Sequence, residues 1–177
     1  PAACNKGLRI ATGSALLLLN NDVIVARNWL RNMLACLESQ QEIGIVGPIT
    51  NYASGKQQID MPFTHIDEMA AKLNVPDPGK WQPVDRLIGF CMLFKREVMD
   101  RIGSLDERFS PGHYEDDDYC LRARNAGYQL RIAGDAFVFH HGSSSFGRQE
   151  RDKVKQLIEN NRRKFMEKWG LDPGIPV

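Results

Sequence analysis

Three clusters of polar side chains carry more chemistry than packing needs: Asn20-Asn21-Asp22, Glu115 to Asp118, and His140-His141. The first follows four leucines, Leu16 to Leu19. A carboxylate at the carboxyl end of a buried strand stands where open α/β sheets place ligands. Asn20 and Asp22 are two residues apart, so in extended geometry their side chains point to one side. Such an oxygen pair suits a hard divalent cation, above all one that bridges phosphates. A strand-ending Asx turn is the plainer reading of the same residues.

Glu115 to Asp118 cannot all share one ligand, because successive side chains on a helix diverge by about 100°. Either they satisfy the free N–H groups of a helix start and the later Arg122 and Arg124, or one of them enters a cleft. Asp116 is then the preferred general base, with its neighbours holding structure. The adjacent histidines end a short strand and face opposite ways, so one can enter a site and the other cannot. Imidazole, carboxylate and diphosphate oxygens together would make a shell for Mn2+ or Mg2+. Gly89, before Phe90, either admits a ligand close to the backbone or marks a bulge. Trp81 and the residues after it could supply an aromatic platform.

The elements that must hold these groups follow from the hydrophobic pattern. Residues 5–15 predict a short helix closed by Gly13, and Leu16 to Leu19 a strand covered on both faces, because its apolar run does not alternate. Further helices are expected at Asn28 to Ser39, after a cap at Thr64, at REVMDRI before Gly103, at EDDDYCLRARN, and from Gln149 to Trp169. Strands are expected at Ile43 to Ile49, Leu87 to Phe94, Gln129 to Ile132 and Ala136 to His140, with VPDPGKWQP read as a break and HGSSSFG as a polar loop. Alternating strands and helices point to a layered α/β domain.

The chain has 177 residues, 42% hydrophobic, with 23 basic and 22 acidic side chains. That length supports a single domain with a core, and the charge balance gives no reason to expect nucleic acid as a partner. Cys4, Cys36, Cys91 and Cys120 form no CxxC pair and read as free thiols in a reducing compartment. No signal peptide or membrane-spanning run is evident. The expected location is the cytoplasm, with a peripheral place at the membrane compatible with it.

Taken in order, the clusters resemble a family 2 glycosyltransferase with the GT-A fold. In that family an N-x-G and then an A-x-G precede a hydrophobic strand ending in D-x-D. Here Asn5, Gly7, Ala11 and Gly13 match the first part, and Asn20-Asn21-Asp22 occupies the motif. RLIGFCMLFKREVMDRIGSLDERFSPGHYEDDDYCLRARNAGYQL is similar to the acceptor-side segment with its E-D motif, and AFVFHHGSSSF to the strand whose histidine completes the metal site. The resemblance covers residues 4–147.

It implies an α/β, GT-A-like mixed sheet with flanking helices, in which residues 1–177 form a partial domain lacking the family's N-terminal strands and 149–169 a C-terminal helix. Donor contacts would come from Asn5, Asn20 and Asp22, and metal contacts from Asp22 and His140, with His141 as the alternative. Asp116 would be the catalytic base with Glu115 beside it, and Gly89 and Phe90 would line the acceptor side. Asn20 stands where the family has an acid, which removes one charge from the metal site. The implied reaction is inverting transfer of a sugar from a nucleotide-sugar donor to a saccharide, lipid-linked or protein acceptor, with Mn2+ or Mg2+ as cofactor. Without its upstream neighbours the Leu16–Leu19 strand should expose apolar surface or dimerise through the sheet edge. The rival expectation is a non-catalytic carbohydrate- or nucleotide-binding or interaction module.

Overall fold

The computed structural model describes residues 1–62, 65–142 and 148–172. The expected cap Thr64 and most of the HGSSSFG loop lie outside the described residues. Along the chain run α1 (Ala2–Ile10), β1 (Ala15–Leu19), β2 (Val23–Ile24), α2 (Trp29–Glu38), β3 (Ile43–Thr50) and α3 (Ile66–Leu73). They are followed by β4 (Trp81–Val84), β5 (Cys91–Lys95), α4 (Arg96–Ile102), α5 (Glu115–Asn125), β6 (Gln129–His140) and α6 (Arg148–Trp169).

The strands form a mixed sheet in the order β1-β5-β3-β6-β2, with β4 also paired to β6. β3 and β6 are parallel, while β5 runs antiparallel to both β1 and β3. The carboxyl ends of β1, β3 and β6 therefore share one end of the sheet with the start of β5. Successive residues of β5 feed opposite cores. Met92 and Phe94 pack with Leu8, Val98, Tyr119 and Phe137, whereas Cys91 and Leu93 pack with Met33, Cys36, Leu37 and Val138. Burial on both faces explains why the central strands are continuously apolar. All eight residues of β3 are buried.

β1 departs from the expectation of a strand covered on both faces. It lies at the sheet edge, Leu16 is its one buried residue, and Leu19 is 43% exposed. The apolar exposure expected of this strand is present. The helix predicted over 5–15 ends at Ile10 instead, and Arg96 holds the following turn by donating to Ala11 O and Gly13 O.

Two further boundaries shift for a stated physical reason. Leu87 to Phe90 do not join β5, because side chains take the amides of Leu87, Ile88 and Gly89 before another strand can. Leu87 N–H points to Cys120 Sγ, Ile88 N–H to Gln57 Oε1, and Gly89 N–H to Asp116 Oδ2. The two strands expected after residue 128 are one, β6, with a bulge between Ala133 and Phe137. The bulge is held by buried Asp135, which accepts from Asp77 N and the Trp81 indole, while its carbonyl accepts from Asn32. Trp81 is thus committed to β4 and the bulge, in a segment read as a break. Among the described residues no helix is long and apolar enough to cross a membrane.

The central and edge positions should differ sharply in energetic weight. Ile45→Ala, in fully buried β3, is expected to cost about 2–5 kcal/mol. Leu19→Ala should cost about 0.5 kcal/mol. Urea unfolding monitored by circular dichroism, with m unchanged, measures both, and equal losses would contradict the edge placement of β1.

Candidate active site

The turn Asn20-Asn21-Asp22 carries the chain from β1, across the carboxyl end of the sheet, to β2 beside the end of β6. Three backbone contacts set its path: Asn20 N–H donates to Phe90 O, His141 N–H donates to Asp22 O, and Val23 stands opposite His140 in the antiparallel pair. Asp22 Oδ2 then lies 3.3 Å from His140 Nε2.

His140 is held on every side. Asn51 Oδ1 accepts from its N–H at 2.8 Å and Asn51 Nδ2 donates to its carbonyl at 3.0 Å. Its Nδ1 lies 2.8 Å from Tyr52 O. A carbonyl oxygen only accepts, so Nδ1 carries the hydrogen and a neutral ring would aim its Nε2 lone pair at Asp22. Phe90 stacks on the imidazole, with centroids 5.0 Å apart and planes inclined 15°, and Tyr52 meets it edge-on at 5.9 Å.

Two acceptors facing each other at this distance call for a proton or a cation between them. Asp22 Oδ1 makes the same demand: it is shielded from solvent and has no hydrogen-bond partner. The pair therefore fits a divalent ion on chemical grounds, since ligating histidines characteristically donate their second nitrogen to a carbonyl. Among the described residues no group of three or more His, Cys, Asp or Glu side chains could hold a metal ion.

The four acids of α5 separate into four environments. Asp116 Oδ2 accepts from Gly89 N at 2.8 Å and its Oδ1 from Asp117 N at 3.0 Å. Asp117 pairs with Arg86. Asp118, fully buried, accepts from Arg122 Nε, Lys168 Nζ and the Trp169 indole. Glu115 Oε2 is buried without a partner. Of the two arginines expected to satisfy this turn, Arg122 does so, while Arg124 pairs with Asp85.

Just before Glu115, His113 and Tyr114 have φ of 70° and 72°. A non-glycine residue in that region costs about 1–3 kcal/mol, so the approach to Asp116 is held against strain. Burial, and after it the charge of Asp116, pushes the Glu115 carboxyl up to about 7. The same two causes push Asp117 up to about 7, against the pull of Arg86.

Gly89 marks no strand bulge, since it lies in the turn that precedes β5. A Cβ there would stand 3.2 Å from Asp116 Cβ and 3.4 Å from its Oδ2, so the glycine admits the carboxylate itself. Phe90 is buried, with its ring stacked against His140. Asn20 is exposed at the turn, tied by its backbone to Phe90. Asn5 stands apart from these groups. It is buried, and its amide is committed to Leu105 N and O and to Glu107 Oε1. His141 is exposed, and its ring lies edge-on to Phe139. Sequence reasoning missed Asn51, Tyr52 and Gln57. Their backbone and amide contacts across the chain leave no local pattern to read.

The raised Glu115 carboxyl gives a signed stability effect. Its proton is held more tightly in the fold than at the ordinary value of 4.5, so stability is lost as pH climbs from about 4.5 through about 7. Glu115→Gln cannot ionise. Thermal melts should show the variant gaining in Tm over the native chain at pH 8, with the gain fading below pH 4.5. A difference independent of pH would contradict the assignment.

The chain resembles known proteins along nearly its whole length. It is 26% identical to the uncharacterised protein y4gI of Sinorhizobium fredii, over 96% of this chain and 20% of that protein. An uncharacterised protein of Mycobacterium tuberculosis is 28% identical over 77% of this chain and 51% of its own length. The O-antigen biosynthesis protein RfbC of Myxococcus xanthus is 25% identical over 82% and 12%. The chain thus spans about half or less of these relatives. Among solved structures, the mannosyltransferase PcManGT from Pyrobaculum calidifontis, in complex with GDP-Man and Mn2+, superposes with a TM-score of 0.62 at 19% identity. The match covers 94% of this chain and 43% of that one. GalNAc-T7 with UDP, GalNAc and Mn2+ superposes with a TM-score of 0.60 at 17% identity, over 78% and 30%. These likenesses give the sheet and its helices the GT-A fold. The family model described as glycosyltransferase like family 2 matches residues 1–166, and the chain belongs to that family.

Proposed function

We propose that this chain transfers a sugar, with inversion, from a nucleotide-diphosphate donor to an acceptor hydroxyl, using Mn2+ or Mg2+. One observation carries the reading: the turn ending at Phe90 serves the Asp22–His140 pair and Asp116 together. Phe90 stacks on His140 and accepts from Asn20 N, while Gly89 N binds Asp116. A site for the donor diphosphate and a candidate base thus meet on adjacent residues. Both structural neighbours were solved with a nucleotide or nucleotide sugar and Mn2+, which supports the choice of donor class and ion.

In this reaction Asp22 and His140 would hold the ion, and Asn20 would lie beside the donor. The metal, when bound, neutralises negative charge on the departing diphosphate. Asp116 takes the proton of the acceptor hydroxyl. The hydroxyl oxygen forms a bond to the anomeric carbon as the bond from that carbon to the diphosphate oxygen breaks, and its electron pair leaves with the nucleoside diphosphate. Two backbone amides orient Asp116, so the base keeps its aim before the acceptor arrives. Glu115, buried and only partly ionised near neutrality, avoids setting a second full charge against it. Gly89 and the Phe90 turn form the acceptor-side wall. A saccharide or lipid-linked saccharide acceptor agrees with the O-antigen relative.

The test uses the full-length protein that carries this chain and a panel of GDP- and UDP-sugars with and without Mn2+. Asp22→Asn should weaken Mn2+-dependent donor binding by about tenfold or more. Asp116→Asn should lower kcat by about 10²–10⁴-fold with donor affinity unchanged, and the product anomer should be inverted. Donor binding without turnover, indifferent to Asp116→Asn, would instead identify a carbohydrate- or nucleotide-binding module.

A further inference from the structure

We infer that Asn161, on α6, is the positioning residue that aims Asp116, an inference that rests on Asp116 acting as the base. Asn161 is fully buried, although it lies on a helix of otherwise highly polar sequence. Its Nδ2 donates to Phe109 O at 2.8 Å, Gly112 O at 2.7 Å and His113 O at 3.1 Å. Its Oδ1 accepts from Lys164 Nζ, which also donates to Arg108 O.

An amide nitrogen has two hydrogens, so three carbonyls share them, and few loop paths bring all three into range. These carbonyls belong to the segment that enters the left-handed pair His113 and Tyr114 and delivers Glu115 and Asp116 immediately afterwards. Phe165, one turn along α6, packs against Phe109 and Tyr114. At the far end of the acidic turn, Lys168 and Trp169 bind Asp118. The helix therefore grips the chain on both sides of Asp116. Released from Asn161, the left-handed pair relaxes and the first turn of α5 rotates, carrying the carboxylate away from Gly89 N. Asn161 touches neither Asp22 nor His140 in its bonding, so the donor side is left in place.

Asn161→Leu keeps the volume and removes the donors. Trp169→Phe serves as the control, since it takes one donor from Asp118 but leaves the three loop carbonyls bonded. In the full-length protein, Asn161→Leu is expected to move the Gly89 amide proton in the NMR spectrum. It should also lower kcat by about 10–100-fold, with the donor KM within about twofold of the native value. Trp169→Phe should lower Tm and leave the Gly89 resonance in place. An unmoved Gly89 amide overturns the inference, as does a joint change in kcat and KM that Trp169→Phe reproduces at equal loss of Tm. A native protein without transferase activity would strike the proposed reaction, while the Gly89 resonance would still decide whether Asn161 positions Asp116.

Discussion

The hydrogen bond from Gly89 N to Asp116 Oδ2, 2.8 Å long, joins segments 27 residues apart in sequence. The site depends on it. On one side of the bond, the adjacent Phe90 supports His140 and receives the turn that carries Asp22. On the other, α5 runs back into the core through Tyr119, Cys120 and Ala123. Because the donor is the backbone amide of a glycine, no side chain intervenes between turn and carboxylate. A side chain at residue 89 would crowd Asp116.

Around that contact the fold spends polar groups where an apolar core would be simpler. Asn5, Asn32, Asn74, Asp118, Asp135 and Asn161 are all buried, and each is bonded to backbone or to a partner side chain. Buried and satisfied, such groups specify one arrangement of loops, since an unpaired group costs far more than a paired one contributes. The unpartnered buried oxygens are different in kind. Of the three among the described residues, Tyr119 Oη lies in the core, while Asp22 Oδ1 and Glu115 Oε2 belong to the segments that meet at the candidate site, where a group left wanting fits a binding partner or suppressed ionisation.

Much of the architecture was legible because both faces of the sheet are covered. The apolar runs at residues 43–49 and in the second half of 87–94 are interior strands, as expected, whereas the equally apolar run at 16–19 lies at the sheet edge. The other failures share one cause. Leu87 to Phe90 are as apolar as the strand they precede, yet the amides of Leu87, Ile88 and Gly89 are claimed by Cys120, Gln57 and Asp116 from elsewhere in the chain. The bulge in β6 resembled a gap between two strands because Gly134 and Asp135 look like turn residues, and the partners of Asp135 come from α2, β4 and the turn before it.

The sequence by itself determined the alternation of strands and helices, the polar stop after the leucines, and three clusters able to do chemistry. Residue type and local spacing suffice for those, because burial and helical or extended periodicity are properties of neighbouring residues. Only the tertiary structure decided which of four acids faces the Gly89 turn, which of two histidines meets Asp22, and that Asn5 serves the backbone of Leu105. It also made Gly89 and Phe90, expected to line the acceptor side, the link between Asp116 and His140. Each of these choices rests on a hydrogen bond or ring contact between distant segments, and no local pattern encodes which distant amide a carboxylate will find.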